Sequence, residues 1–164
     1  MDISVLNIVV SLLVALILHE LGHFVAARAC GISVPQAGFG WGPKLFRVRI
    51  GGIDYCFHLL PVGAYIRLDM AELQRRPLIQ QLTVLLAGIA VNLMLAVAGW
   101  GSFFGIINLA LAIGNLFPIY QFDGWKTGMV IFRCVFKGKN PLVEWTFTIS
   151  AGLLGLTLFV GTIL

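Results

Sequence analysis

His19, Glu20 and His23 lie close together in "ALILHELGHFVAARA", residues 15–29, and spell His-Glu-x-x-His. On a helix the two histidines stand one turn apart on one face. There two imidazoles can grip a single Zn²⁺, and the adjacent glutamate can take a proton from an activated water. A polar cluster that merely joins helices is the alternative use of such side chains. Ionisable groups in an apolar segment cost a few kcal/mol each unless they are paired or coordinated, and metal coordination compensates all three together.

A catalytic zinc takes a third protein ligand, which leaves the fourth position for water. Asp123, Glu144 and His58 are the available groups in or beside the apolar segments. Position favours Asp123, which follows the third apolar segment at the same end at which the histidines close the first. Glu144 opens the last apolar segment and suits an interface, and His58 falls on the polar side of a predicted strand.

The elements that position these groups belong to a membrane protein. Of 164 residues, 59% are apolar and 11% charged, far from the usage of ordinary soluble domains. Residues 3–18, 77–122 and 145–164 carry no charge. A spanning helix needs about 20 such residues, so the middle run holds two, with the turn at "GWGS", 99–102. The fold class expected is an α-helical polytopic membrane protein with four transmembrane helices at about 4–27, 78–99, 103–121 and 142–163, in one domain over 1–164. A cleaved signal peptide is a poor reading of the first segment, because Asp2 precedes it and the helix runs on into the histidine motif.

The net charge of +4 does not point to nucleic acid. Arg28, Lys44, Arg47, Arg49, Arg67, Arg75 and Arg76 lie between the first and second spans; Lys126, Arg133, Lys137 and Lys139 lie between the third and fourth. Those two connections share one side of the membrane, which the positive-inside rule makes cytoplasmic. Both termini are then expected outside a cell (inner) membrane, with the histidine motif near the cytoplasmic side. Cys30, Cys56 and Cys134 show no C-x-x-C spacing and read as small apolar residues.

Within the first connection, Phe46, Val48 and Ile50 alternate with arginines, and after Gly51-Gly52 the residues Ile53, Tyr55, Phe57 and Leu59 alternate with Asp54, Cys56 and His58. The pattern predicts a β-hairpin over about 45–60, membrane-associated through its apolar face. A two-residue turn sets 50 opposite 53, 48 opposite 55, 46 opposite 57, and Arg49 opposite Asp54.

Taken in order, "HELGH" at 19–23, "FHLLPVGAYIRL" before the second span, "GIAVN" at 88–92 and "NLFPIYQFDG" at 115–124 resemble the site-2 proteases, zinc metalloproteases that cut peptide bonds within the membrane. The resemblance covers nearly the whole chain. It implies His19, His23 and Asp123 as zinc ligands, Glu20 as general base, and Asn92 and Asn115 as residues that hold substrate or the catalytic centre. Ile89 stands where that family usually has proline, and one glycine rather than two follows Asp123. Many members also carry a PDZ or CBS domain, for which this length leaves no room, so a minimal form is expected. The partners implied are the lipid bilayer, a membrane-embedded protein substrate offering a transmembrane segment, and a regulatory membrane protein. A catalytically inactive relative that binds membrane segments is the alternative, and a zinc transporter a more distant one.

Overall fold

The computed structural model describes residues 4–136 and 141–163; Asp2, Lys137 and Lys139, used above to read topology, lie outside them. The element order is α1 (Val5–Ala29), β1 (Gln36–Ile50), β2 (Ile53–Arg67), α2 (Met70–Arg75), α3 (Leu78–Ala98), α4 (Phe103–Leu116), α5 (Asp123–Val135) and α6 (Pro141–Ile163). Among the described residues the protein is mostly helical, with one two-stranded sheet.

Among the described residues, α1 and α3 are long and apolar enough to cross a membrane. Their burial is inverted relative to a soluble helix. In α1 the buried residues are Ala15, His19, His23 and Ala27, spaced four apart along one face, while Leu6 and Val25 are 70% and 58% exposed. Small and polar groups therefore face the protein and large apolar ones face outward, as lipid requires. On α3, Leu85, Gly88, Ile89, Asn92 and Ala96 form the matching buried stripe, and α1 packs against it.

Of the third expected span, 103–121, helix covers 103–116. Helix α4 has 14 residues, or roughly 21 Å at 1.5 Å per residue, short of a hydrocarbon core of about 30 Å. It stops because proline disfavours helical backbone in the residue before it, and Phe117 ahead of Pro118 is extended, with φ −64° and ψ 142°. The connection expected at 122–141 contains a further helix, α5, which buries Met129 and Val130.

The hairpin turn falls where predicted. Gly51 and Gly52 have φ of 57° and 83°, the double left-handed turn that only glycine adopts without cost. Ile50 pairs with Ile53, Val48 with Tyr55, Phe46 with Phe57 and Arg49 with Asp54. The limits of 45–60 are too narrow, however. Both strands run on and bend, so that 36–39 lie alongside 54–57, from Gln36↔Asp54 to Phe39↔Phe57, and alongside 64–67, from Gln36↔Arg67 to Phe39↔Ala64. That leaves 64–67 along an edge of the sheet, next to α1.

Below the histidines, a core of Ala27, Ile32, Val34, Leu73, Val84, Leu85 and Val130 ties the end of α1 to α2, α3 and α5. Polar clamps hold the connecting chain over it. Asp69 caps α2 by accepting from the Ala71 and Glu72 amides, and the Glu72 carboxylate accepts from the Ser33 amide at 2.6 Å and the Ser33 hydroxyl at 3.1 Å.

Asp123 reaches this core because Gly124 lets α5 begin against the end of α4. A Cβ on Gly124 would collide with the carbonyl oxygens of Leu116 and Phe117. Gly124→Val is expected to destabilise the protein by about 1–3 kcal/mol, the usual cost of forcing extra volume into a packed site. A lower apparent Tm in detergent checks this; an unchanged Tm would show that the two helix ends are not in contact.

Candidate metal centre

Three atoms capable of binding a metal converge between α1 and the start of α5. The Asp123 Oδ2 lies 3.0 Å from His19 Nε2 and 2.9 Å from His23 Nε2, and the two Nε2 atoms are 3.2 Å apart. The three residues are 4–5% exposed, and they are the group of metal-ligating side chains found among the described residues. Ligand bonds of about 2.0–2.2 Å at tetrahedral angles would set such atoms roughly 3.3–3.6 Å apart. The observed triangle would admit zinc with an expansion of a few tenths of an ångström.

The surroundings fit a metal as well. Gly88 on α3 faces the histidines, and a Cβ there would overlap the Nε2 atoms of both. The space beside the imidazoles therefore exists only because position 88 has no side chain. His23 Nδ1 is 2.7 Å from the Val84 carbonyl oxygen, so its N–H donates there and Nε2 keeps its lone pair. His19 Nδ1 is 3.1 Å from the Asn92 amide group, while Asn92 Oδ1 lacks a partner in a fully buried setting. A half-turn of that amide places Oδ1 against Nδ1 so that the ring N–H donates to it. Amide orientation is assigned from such networks, and this one pairs the orphaned oxygen and frees His19 Nε2 for metal.

Asp123 is held by its helix. As an acidic residue in the first turn of α5 it meets the positive end of the helix dipole, and Lys126, one turn on, donates to its Oδ1 at 3.0 Å. Burial penalises the ionised carboxylate, while the Lys126 ammonium and the start of α5 favour it, so Asp123 is presented to the imidazoles as a group able to bind a cation.

Glu20 projects towards the sheet, where its Oε2 accepts from the Ile66 amide at 2.9 Å. It lines a cavity of about 310 Å³ together with His23, Asp123, Lys126, Ile66 and Gln121. Gln121 has φ of 79°, the sole non-glycine residue with positive φ among those described. Such backbone costs of order 1 kcal/mol or more and concentrates at functional sites.

The residues singled out in the sequence thus divide. His19, Glu20, His23 and Asp123 come together, and Asn92 stands behind His19. Asn115 does not join them: its amide donates to the Leu111 carbonyl within α4, and it is not among the residues lining the cavity. Of the other ligand alternatives, Glu144 is gripped by Arg133 at 2.7 and 3.0 Å, and His58 contacts the Phe39 carbonyl oxygen at 3.3 Å. Lys126, Gln121 and Gly88 were missed, although a lysine three residues beyond Asp123 is a readable signal.

Comparison with known proteins gives one family match and three similar relatives. The model for "Peptidase family M50" matches residues 7–104, more than half of the chain. A Clostridium perfringens protein is 39% identical over 110 residues, covering 62% of this chain and 30% of its own length. Proteins of Chlamydia pneumoniae and Neisseria meningitidis are each 28% identical, over 149 and 158 residues, covering 74% and 87% of this chain and 24% and 35% of theirs. The name of each proposes a zinc metalloprotease. The chain spans about a quarter to a third of the length of these relatives.

Because Gly88 vacates the space beside both imidazoles, Gly88→Ala is expected to weaken zinc binding at least 10-fold, the lower end of effects from residues around a metal site. Chelator competition on the purified protein measures it. Unchanged zinc affinity would mean the metal is bound elsewhere.

Proposed function

The chain belongs to peptidase family M50, and from that membership we propose that it carries the catalytic core of an intramembrane zinc metalloprotease, hydrolysing peptide bonds in or near transmembrane segments of protein substrates. The observation that carries this reading is the convergence of His19 Nε2, His23 Nε2 and Asp123 Oδ2 beside Glu20, at the wall of a cavity.

In this reading His19, His23 and Asp123 hold the zinc, which supplies Lewis acidity for the scissile carbonyl and lowers the pKa of water. Glu20 accepts the proton of the attacking water and delivers it to the nitrogen of the leaving amine, so the broken C–N bond yields a carboxylate and an amine. Asn92 and the Val84 carbonyl fix the rings of His19 and His23, and Lys126 fixes the Asp123 carboxylate. The helical residues 15–27 that hold the motif are apolar on their outer faces, which supports a site reached from within the bilayer.

A helical substrate hides its carbonyls in intrahelical bonds and must unwind locally before attack. Its freed backbone groups then need partners in a low-dielectric setting. The 64–67 edge, anchored at Ile66 beside Glu20, offers main-chain donors and acceptors for pairing with such a strand. Asn115 remains a proposed contact for substrate at the end of α4.

The membrane arrangement proposed is four spans, with α6 as the last and the short α4 completed by the chain that follows it. The basic connections then face the cytoplasm of a cell (inner) membrane. A regulatory membrane protein is the further partner proposed.

The chemistry is tested by separating metal from base. His19→Ala, His23→Ala and Asp123→Ala should lose zinc and cleavage together, while Glu20→Gln should keep zinc and lose about 10²–10⁴-fold in kcat. Metal analysis and cleavage of a transmembrane substrate by the purified protein read both; near-normal turnover by Glu20→Gln would sink the mechanism.

The topology has its own check. In a cysteine-free variant, Lys137→Cys should resist an impermeant thiol reagent applied to intact cells and react after permeabilisation. Labelling from outside would reverse the orientation.

A further inference from the structure

A second cavity, of about 360 Å³, lies between α1 and the sheet. Side chains alternate along a strand, so the register puts Tyr55, Ala37 and Ile66 in one row across one face, and Phe57, Phe39 and Ala64 in the next. Two alanines on diagonal positions among larger side chains leave a hollow. Ile17, Leu21 and Phe24 of α1 close it from the other side.

The hollow adjoins the catalytic cavity. Glu20, Tyr65 and Ile66 line both spaces, so the carboxylate stands at their junction. Its floor is also braced from behind. The Tyr65 ring lies over Gly38, where a Cβ would run into it, and the Gln36 amide donates to the Tyr65 hydroxyl at 2.7 Å.

Resting on the protease reading, we propose that this hollow is a specificity subsite that takes one large apolar side chain, of leucine, isoleucine, methionine or phenylalanine type, from a substrate residue adjoining the scissile bond. Ala37 and Ala64 set its depth. Volume supports the assignment, because an apolar cavity of about 150 Å³ already holds benzene, and this one has room for a ring or a branched chain. Chemistry supports it too: the walls are aliphatic and aromatic apart from the junction with Glu20, so a charged side chain would lose its hydration without a partner. Position completes the case. A strand laid on the 64–67 edge passes Glu20 at Ile66, and its side chains alternate, so one neighbour of the reacting carbonyl turns towards the apolar face.

The test uses the full chain in detergent micelles or proteoliposomes. Transmembrane substrates carry alanine, leucine, phenylalanine or aspartate on each side of the scissile bond. The native protein should prefer leucine or phenylalanine to alanine at one of the two positions by at least about 10-fold in kcat/KM, the range for apolar pockets that gain or lose small groups. Aspartate there should block cleavage. Ala37→Leu and Ala64→Leu, which fill the hollow, should lower the leucine-to-alanine ratio at least about 10-fold at unchanged zinc content. Ala37→Gly and Ala64→Gly deepen it and should move the optimum from leucine to phenylalanine or tryptophan; they decide the matter if the leucine variants fail to fold. Absence of any large-apolar preference in the native protein, or its persistence through the substitutions, overturns the subsite and leaves the protease reading intact. Failure of the native protein to cleave any of the substrates overturns the protease reading itself.

Discussion

One carboxylate oxygen, Asp123 Oδ2, sits within about 3 Å of two imidazole nitrogens that are all but excluded from solvent. Bringing an anion into an apolar helix bundle costs several kcal/mol unless opposite charge and hydrogen bonds answer it. Much of the architecture is organised around that answer. The dipole of α5 and Lys126 address the carboxylate from its own helix; Val84 and Asn92 address the far sides of the two rings from α3. Gly88 leaves out the side chain that would collide with the two imidazoles, and Gly124 the one that would collide with the end of α4. Loss of any one of these polar partners leaves a charged or polar group buried without its partner, which is why the effects expected of removing them are large.

What could be read beforehand was whatever declares itself through side-chain period. His19 and His23 are four apart, and that spacing fixes their shared face. The alternation about Gly51-Gly52 fixed the hairpin register, because a two-residue turn leaves no choice of partners. The extent of the strands escaped because Gly38, Gly40, Gly42 and Pro43 interrupt the β pattern in β1, as Pro61 and Gly63 do in β2. Helix α5 escaped because its charged residues read as a connection. Length of apolar run overstated α4, since an uncharged stretch does not reveal where Pro118 ends the helix.

The site was legible in its ionisable residues and opaque in its support. Asp123 was preferred to Glu144 and His58 by position, and the structure brings Asp123 to the histidines, while the Glu144 carboxylate is bound to Arg133 and His58 lies in the sheet against a backbone carbonyl. Asn92 was recognised, but its attachment to His19 depends on the packing of α3 against α1. Gly88, the Val84 carbonyl and the Ile66 amide contribute a missing atom or main-chain groups, none of which has a side-chain signature.

The Ile66 contact has a genetic corollary. Because the donor to Glu20 is a peptide N–H, every residue except proline supplies it, and the codon at 66 can drift without touching the bond. What governs the contact is the sheet's register, set some distance away by the glycine turn and by the bend that brings 36–39 between its neighbours. A one-residue slip there would present a different face beside the carboxylate while leaving every residue at the reaction centre unchanged. Variants that silence the protein can therefore map to the hairpin, far in sequence from the histidines, and would look innocent in any tally of the ionisable residues.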